Sequence, residues 1–420
     1  MSAASCPGVT STPAAQTSSE VPAPKLLPEL FDQVIDHLHD DIPALTRCAL
    51  VSREWTSTAR YHRFNTLKVN LRYDDYTKLG EVLSASPEIR RLVRELWITT
   101  PWDDMETLTS PYLGPLTWLP VMEATEELVL KDHTLEDDEQ LDYDFRPYLP
   151  ALKRVHFYAG RLGVGVIDLM SGSFPDMDTL RLTQIGRLIR MPRSRRRSGP
   201  QVVVPPPRLH TLDFQNFCPT VLTFTSQWMA RHPNANLLST LHVQCPFVCT
   251  REAQPMFDLF GPLRLHSLHI GILTWMDGHK ELHSAPPTTA SLKPCTQLRE
   301  FSITIQMYDG VTQEWPPVLF HVQRILQSLS SPVLEKLTIA TRGSFGKPCP
   351  VDIIQELDWN AIQDTLLGKH FPILRTIVIK GKGDRHALTA FVKEKCPELY
   401  GRGLIRFLSI PSTLDWSLDP

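Results

Sequence analysis

The sequence predicts an α/β chain in two parts: a three-helix module near the N-terminus, then a long solenoid whose parallel strands line a concave face, with helices and loops on the convex side. Three observations carry that expectation. The stretch LLPELFDQVIDHL at 26–38 is patterned for one amphipathic helix. Beyond residue 85 a short phrase, apolar-x-x-apolar-x-apolar, recurs about eleven times at spacings of roughly 25 to 40 residues, the range expected of solenoids. Finally, 36 prolines in 420 residues favour frequent chain breaks over long helices.

In the first helix Leu27, Leu30, Phe31, Val34, Ile35 and Leu38 form one stripe at i, i+3, i+4, i+7, i+8 and i+11, with Glu29, Asp32, Gln33 and Asp36 facing away. Pro28 suits its first turn, where no N–H partner is lost, and Glu29 and Asp32 complement the positive end of the helix dipole. Pro43 again sits near a helix start, and Leu45, Cys48, Ala49 and Ser52 make a second stripe that runs into Leu50 and Val51. Ser52 can cap a third helix carrying Trp55, Ala59 and Tyr61. So short a module is near the lower size limit for an independent core and is expected to lean on a neighbour or a partner.

The module resembles an F-box, whose pattern is a Leu-Pro-x-Glu opening and a Val-Cys/Ser-Arg-x-Trp close. Here those elements are Leu27, Pro28 and Glu29, with the intervening residue absent, and Val51, Ser52, Arg53 and Trp55. The resemblance covers about a tenth of the chain. It implies docking on a Skp-family adaptor and, through it, membership of a cullin-RING ubiquitin ligase. The residues expected to bear on the adaptor are Leu27, Pro28, Leu30, Ile35, Leu38, Leu45, Val51 and Trp55, some of which must hold the helices to one another. The plainer alternative is an end cap that hides the first repeat's apolar edge.

The recurring phrase is read as a short strand. It appears as VRELWI, TEELVL, LKRVHF, MDTLRL, LHTLDF, LSTLHV, LHSLHI, LREFSI, LEKLTI, LRTIVI and, more weakly, IRFLSI ending at Ile410. Alternate side chains point inward, and no single strand can bury its inward face alone; stacking the strands in parallel, ~4.8 Å apart, makes one continuous core. The intervening stretches at 320–332, 356–372 and 385–397 read as helices. The array is similar to an irregular leucine-rich-repeat horseshoe, although the Asn that follows the strand in that family is mostly missing. An open α/β sheet built from the same phrases is the runner-up fold.

The expected domains are therefore a disordered leader at 1–24, an F-box at 25–65 and a leucine-rich-repeat-like solenoid at 66–420, with a basic loop insertion at 187–206. The leader, rich in Ser, Thr, Ala and Pro, has too few large apolar side chains to offset its ordering entropy. A net charge of −3 and a pI near 6.6 make nucleic acid or an anionic membrane an unlikely global partner. With no signal peptide and no window of eighteen apolar residues, a cytoplasmic or nuclear protein is expected. Eight scattered cysteines agree with reduced thiols.

No catalytic motif stands out, and no cofactor or metal is expected. AGRLGVGVIDLM at 159–170 lacks the spacing of a dinucleotide fingerprint and is read as a loop. His242, Cys245, Cys249 and His269 lack a paired-cysteine spacing, so core cysteines and surface histidines are favoured over zinc. The basic run RLIRMPRSRRRSGP at 187–200 reads as an exposed loop, a nuclear-import address, a patch for an acidic partner, or a context for phosphorylation of Ser194 or Ser198. An acidic run, LEDDEQLDYD, lies at 135–144. The more informative positions lie between the paired apolar residues of each strand, where Trp97, His156, Arg181, Asp213, His242 and His269 are expected to contact a protein client. The expected function is that of a non-catalytic substrate receptor in a Skp, cullin and F-box ligase; the alternative is a repeat scaffold whose helices cap the solenoid or bind another partner.

Overall fold

A computed structural model of the chain describes residues 28–71, 76–99, 118–135, 146–163, 167, 174–185, 187–189, 206–215, 219–230, 237–246, 252–274, 289–307, 315–343, 355–368, 371–381 and 385–409. The leader expected at 1–24 and most of the basic and acidic runs lie outside these residues. The chain divides into two compact units, Met1–Arg63 and Phe64–Pro420.

The first unit holds α1 (Pro28–Asp36), α2 (Ile42–Val51) and nearly all of α3 (Arg53–Asn65). Pro28 opens α1, where a missing N–H costs nothing. The Asp41 carboxylate caps α2, accepting from the Ala44 N–H at 2.8 Å, and the Ser52 hydroxyl accepts from the Glu54 N–H at 3.2 Å, as its place before α3 predicts. Ile35, Leu45 and Ala59 form a fully buried centre, with Leu38, Cys48, Ala49 and Trp55 packed around it and the Phe31 ring 5.3 Å from the Trp55 ring. Two polar links join α1 to α3: the Thr58 hydroxyl donates to Asp32 at 2.6 Å, and His62 meets Asp36 at 2.7 Å.

The second unit is built on one all-parallel sheet. Twelve strands follow one another along it in chain order: β1 (Thr66–Asn70), β2 (Glu95–Thr99), β3 (Glu127–Leu135), β4 (Arg154–Gly163), β5 (Thr179–Thr183), β7 (Thr211–Gln215), β8 (Thr240–Pro246), β9 (Ser267–Thr274), β10 (Glu300–Met307), β11 (Lys336–Gly343), β12 (Thr376–Gly381) and β13 (Ile405–Ser409). A three-residue strand, β6 (Arg187–Ile189), pairs with the far end of β4. An open doubly wound sheet reverses its strand order at a switch point; this order never reverses, which is compatible with a solenoid-like array.

The reason lies at the corner before each strand. The Arg94 N–H donates to the Asn65 carbonyl, Glu126 to Arg94, Lys153 to Glu126, Asp178 to Lys153, and His210 to Asp178. The series continues through Ser239, His266, Arg299, Glu335 and Arg375, each donating to the corner before it, at 2.8 to 3.0 Å throughout. This main-chain ladder sets each strand from β2 to β12, β6 apart, in the same register as the last. The second and fourth strand positions, such as Leu96 and Ile98, Leu212 and Phe214, or Leu337 and Ile339, then enter one continuous core. Where the corner residue is polar it is satisfied internally: Thr125, fully buried in the leucine column, donates to the Val93 carbonyl at 3.0 Å.

Connecting helices pack onto this core. They are α4 (Tyr76–Ala85), α5 (Pro87–Arg90), α6 (Pro219–Ala230), α7 (Gln254–Phe260), α8 (Trp315–Ser328), α9 (Trp359–Leu367), α10 (Arg385–Lys395) and α11 (Pro397–Gly401). Three of them, α8 to α10, fall where the sequence places helices. Among the described residues no helix is long and apolar enough to cross a membrane.

Three expectations are corrected. The last phrase was read with Leu408 and Ile410 inward, but Ile405 and Phe407 pair with Ile377 and Ile379, and Leu408 is 50% exposed. The segment offers two alternating apolar sets, and the one that continues the ladder is buried. Residues 159–163, read as part of a loop, extend β4 to Gly163, and Arg187–Ile189, read as the start of a basic loop, form β6.

Candidate functional site

Between the two buried positions of each strand, one side chain faces away from the core. In the pairing register these third positions form a single row: Lys68, Trp97, Val129, His156, Arg181, Asp213, His242, His269, Ser302, Thr338, Val378 and Arg406. All six residues expected to meet a client lie in it, within seven adjoining strands and with only Val129 interposed. The strand period of two aligns them, and the corner ladder keeps them level.

The centre of the row is an organised polar cluster. Asp213 is only 2% exposed and accepts from Arg181 Nε at 2.8 Å and from the Gln215 side-chain amide at 3.1 and 3.2 Å. His242 Nδ1 stands 3.9 Å from the same carboxylate, and its ring is 5.5 Å from that of His269. His156 meets the Thr183 hydroxyl at 2.9 Å. Burial, reinforced by the Arg181 charge, pushes the His156 pKa down to about 3. Burial also lowers that of His242, again with Arg181 against protonation and with Asp213 opposing the shift. Both rings are therefore neutral near pH 7, and His156 contributes a hydrogen bond instead of charge.

Beside this row runs a second, at the fifth strand position, which sequence reasoning passed over. Lys131, Tyr158, Thr183, Gln215, Gln244 and Gly271 are adjacent in it. The signal was present, because two residues further along a strand returns to the same face. Lys131 Nζ sits 5.0 Å above the Tyr158 ring and Lys68 Nζ sits 5.0 Å above the Trp97 ring. The Gln244 side chain passes over Gly271 to hydrogen-bond Gln306 two strands away. A Cβ at Gly271 would stand 2.7 Å from Gln244 Cγ, so a side chain there would block the crossing.

On the first unit the residues expected to meet an adaptor separate into two classes. Ile35 and Leu45 are fully enclosed, and Leu38 and Trp55 pack around them, so these four hold the helices together. No partner can reach Ile35 or Leu45 without opening the unit, so these two are among the residues expected to hold the helices to one another. Leu30 and Val51 are exposed and are joined by Val34, Ile42 and Leu50. Leu27 lies outside the described residues, and Pro28 is placed by its backbone alone.

At the start of the strands a shallow depression of about 520 Å³ is bordered by Lys153, Asp178, Arg208 and His210. Its charges are taken up locally, Arg208 by Asp176 at 2.9 Å and Lys153 by Glu126 at 3.3 Å. Among the described residues no group of three or more His, Cys, Asp or Glu is arranged to hold a metal. Cys249 and the Cys245 side chain lie outside them. No protein-family model matches the chain, and a search of curated proteins finds no match either.

Proposed function

We propose that the chain is the substrate-recognition subunit of a Skp, cullin and F-box ubiquitin ligase. In this reading α1 to α3 are an F-box that docks a Skp-family adaptor, and the array is leucine-rich-repeat-like, holding a protein client on its outward, concave face. The observation that carries it is the uncovered apolar surface of the first unit. Leu50 and Val51, at the end of α2, are 84% and 68% exposed, and Val34 on α1 is 53% exposed. Burying each would return about 1.5–3 kcal/mol, yet a unit whose centre is three side chains leaves them in water. Leu50 and Val51 adjoin in the chain, Leu30 and Val34 lie one turn apart on α1, and exposed apolar side chains of this kind favour a protein partner. Val51 also belongs to the Val-Ser-Arg-x-Trp segment that resembles an F-box, and Leu30 directly follows the Leu-Pro-Glu segment.

The chain's contribution is proximity and orientation: it brings a client to a ligase whose other subunits do the chemistry. No residue of its own is catalytic in this reading, and no cofactor is required. The test is co-expression with a Skp-family adaptor, wild type beside a Leu50→Asp, Val51→Asp double variant. The wild type is expected to purify as a stoichiometric complex. The variant is expected to lose the adaptor while its thermal unfolding is unchanged, because both positions are already in water. A wild type that folds alone and ignores the adaptor overturns the proposal and leaves a non-enzymatic repeat scaffold.

A further inference from the structure

We propose that the outward face of β1 to β5 binds an acidic segment of a protein, with its carboxylates pairing to Lys68 and Lys131 beside the Trp97 and Tyr158 rings. This rests on reading that face as the client surface, and adds what kind of client it takes.

Charge carries the argument. The third and fifth positions of the twelve strands include five Lys or Arg residues, namely Lys68, Lys131, Arg181, Lys380 and Arg406, against one carboxylate, Asp213. That carboxylate is buried and taken up by Arg181. The chain as a whole carries a net charge of −3, so this face runs against the overall sign. At the first strand position Glu127 pairs with Arg154 at 2.7 Å and Glu300 with Lys336 at 3.3 Å, while Glu95, which accepts the Thr66 hydroxyl, adds one carboxylate and still leaves the face positive.

Lys68 and Lys131 differ from the other cations in what holds them. Among the described residues neither ammonium has a carboxylate within ion-pair distance; each is held over an aromatic ring at 5.0 Å. Such a contact attracts the cation to the ring face, restricting the side chain while leaving its charge unneutralised. The two lie two strands and two residues apart, roughly 12 Å between Cα atoms at standard sheet spacings. That approximates acidic side chains four residues apart on one face of an extended segment, at ~3.4 Å per residue. The phosphates of a nucleic acid are far denser than these sparse cations, and the rings beside them suit an amphipathic protein segment.

The experiment uses the full chain and short fluorescein-labelled peptides bearing Glu at every fourth position and a photoreactive residue at the centre. Peptides with Gln or Lys in place of Glu and an oligothymidylate of similar length are the comparisons. The Glu peptide is expected to bind at least about tenfold more tightly than the Gln peptide, to weaken with added salt, and to crosslink to β1 to β5. A Lys68→Glu, Lys131→Glu variant with unchanged thermal unfolding is expected to abolish the preference. Equal binding of the Glu and Gln peptides, with crosslinks still on this face, removes the acid preference but keeps the surface. A Glu peptide that crosslinks elsewhere removes the surface itself. Tighter binding of the oligothymidylate, or an unaffected charge-reversal variant, overturns the proposal.

Discussion

His156 sits in the middle of the outward row and is kept uncharged by burial and by the Arg181 guanidinium, with its pKa pushed down to about 3. An unfolded histidine titrates near 6.5. Between these values the unfolded chain binds a proton that the folded chain refuses, so stability rises with pH across that window. The full stability is present above about pH 6.5 and declines as the pH falls toward 3, by about 1.4 kcal/mol per pH unit from this residue alone. Urea unfolding of the wild type and His156→Gln at pH 7 and pH 4.5 checks this: the gap between them is expected to shift by about 3 kcal/mol in favour of the variant at the lower pH. A constant gap would show that His156 is open to solvent in the folded chain. The row itself was legible in the sequence, because the middle residue of each strand phrase faces outward whatever its chemistry. The pairing of Arg181 with Asp213 was not, since residues 32 apart in sequence meet only once the register is known.

Among the elements, those with a one-sided apolar pattern were the legible ones. The exceptions have physical reasons. In α6 the exposed positions Thr223, Gln227 and Ala230 form a narrow stripe while Val221, Leu222, Phe224, Trp228 and Met229 enter the core. A helix buried around most of its circumference shows little amphipathic period. Its polar Thr225 and Ser226 are nonetheless buried, because their hydroxyls donate back to the Val221 and Thr223 carbonyls at 2.9 Å. Strand β1 was missed because Phe64, Leu67 and Val69 follow α3 without the proline that announces several later strands. Strand β9 carries the sharpest element-scale prediction. Gly271→Ala is expected to cost about 1–3 kcal/mol by crowding the Gln244 side chain, and Gln244→Ala is expected to recover part of that loss. A double-mutant cycle followed by urea unfolding measures it; additive costs would mean that Gln244 does not cross this glycine.

At the scale of the molecule, the continuous core of the second unit runs from Val69 to Phe407 and includes no residue of the first. A chain beginning at Phe64 is therefore expected to fold by itself and to unfold in urea with an undiminished midpoint; a collapsed or aggregated product would show that the first unit is needed to complete it. The corner ladder also decides how such a chain can change length. Its rungs are made by peptide groups, so the stretches between rungs can lengthen or shorten, and the strands already begin anywhere from 25 residues apart, Arg154 to Thr179, to 40 apart, Lys336 to Thr376. Between a rung and its strand there is no such freedom. One residue gained between His210 and Leu212 would exchange the inner and outer faces of that strand alone, sending Asp213 into the hydrocarbon and Phe214 into water. Evolution can revise the loops of this protein almost at will, but it must count the few residues after each corner two at a time.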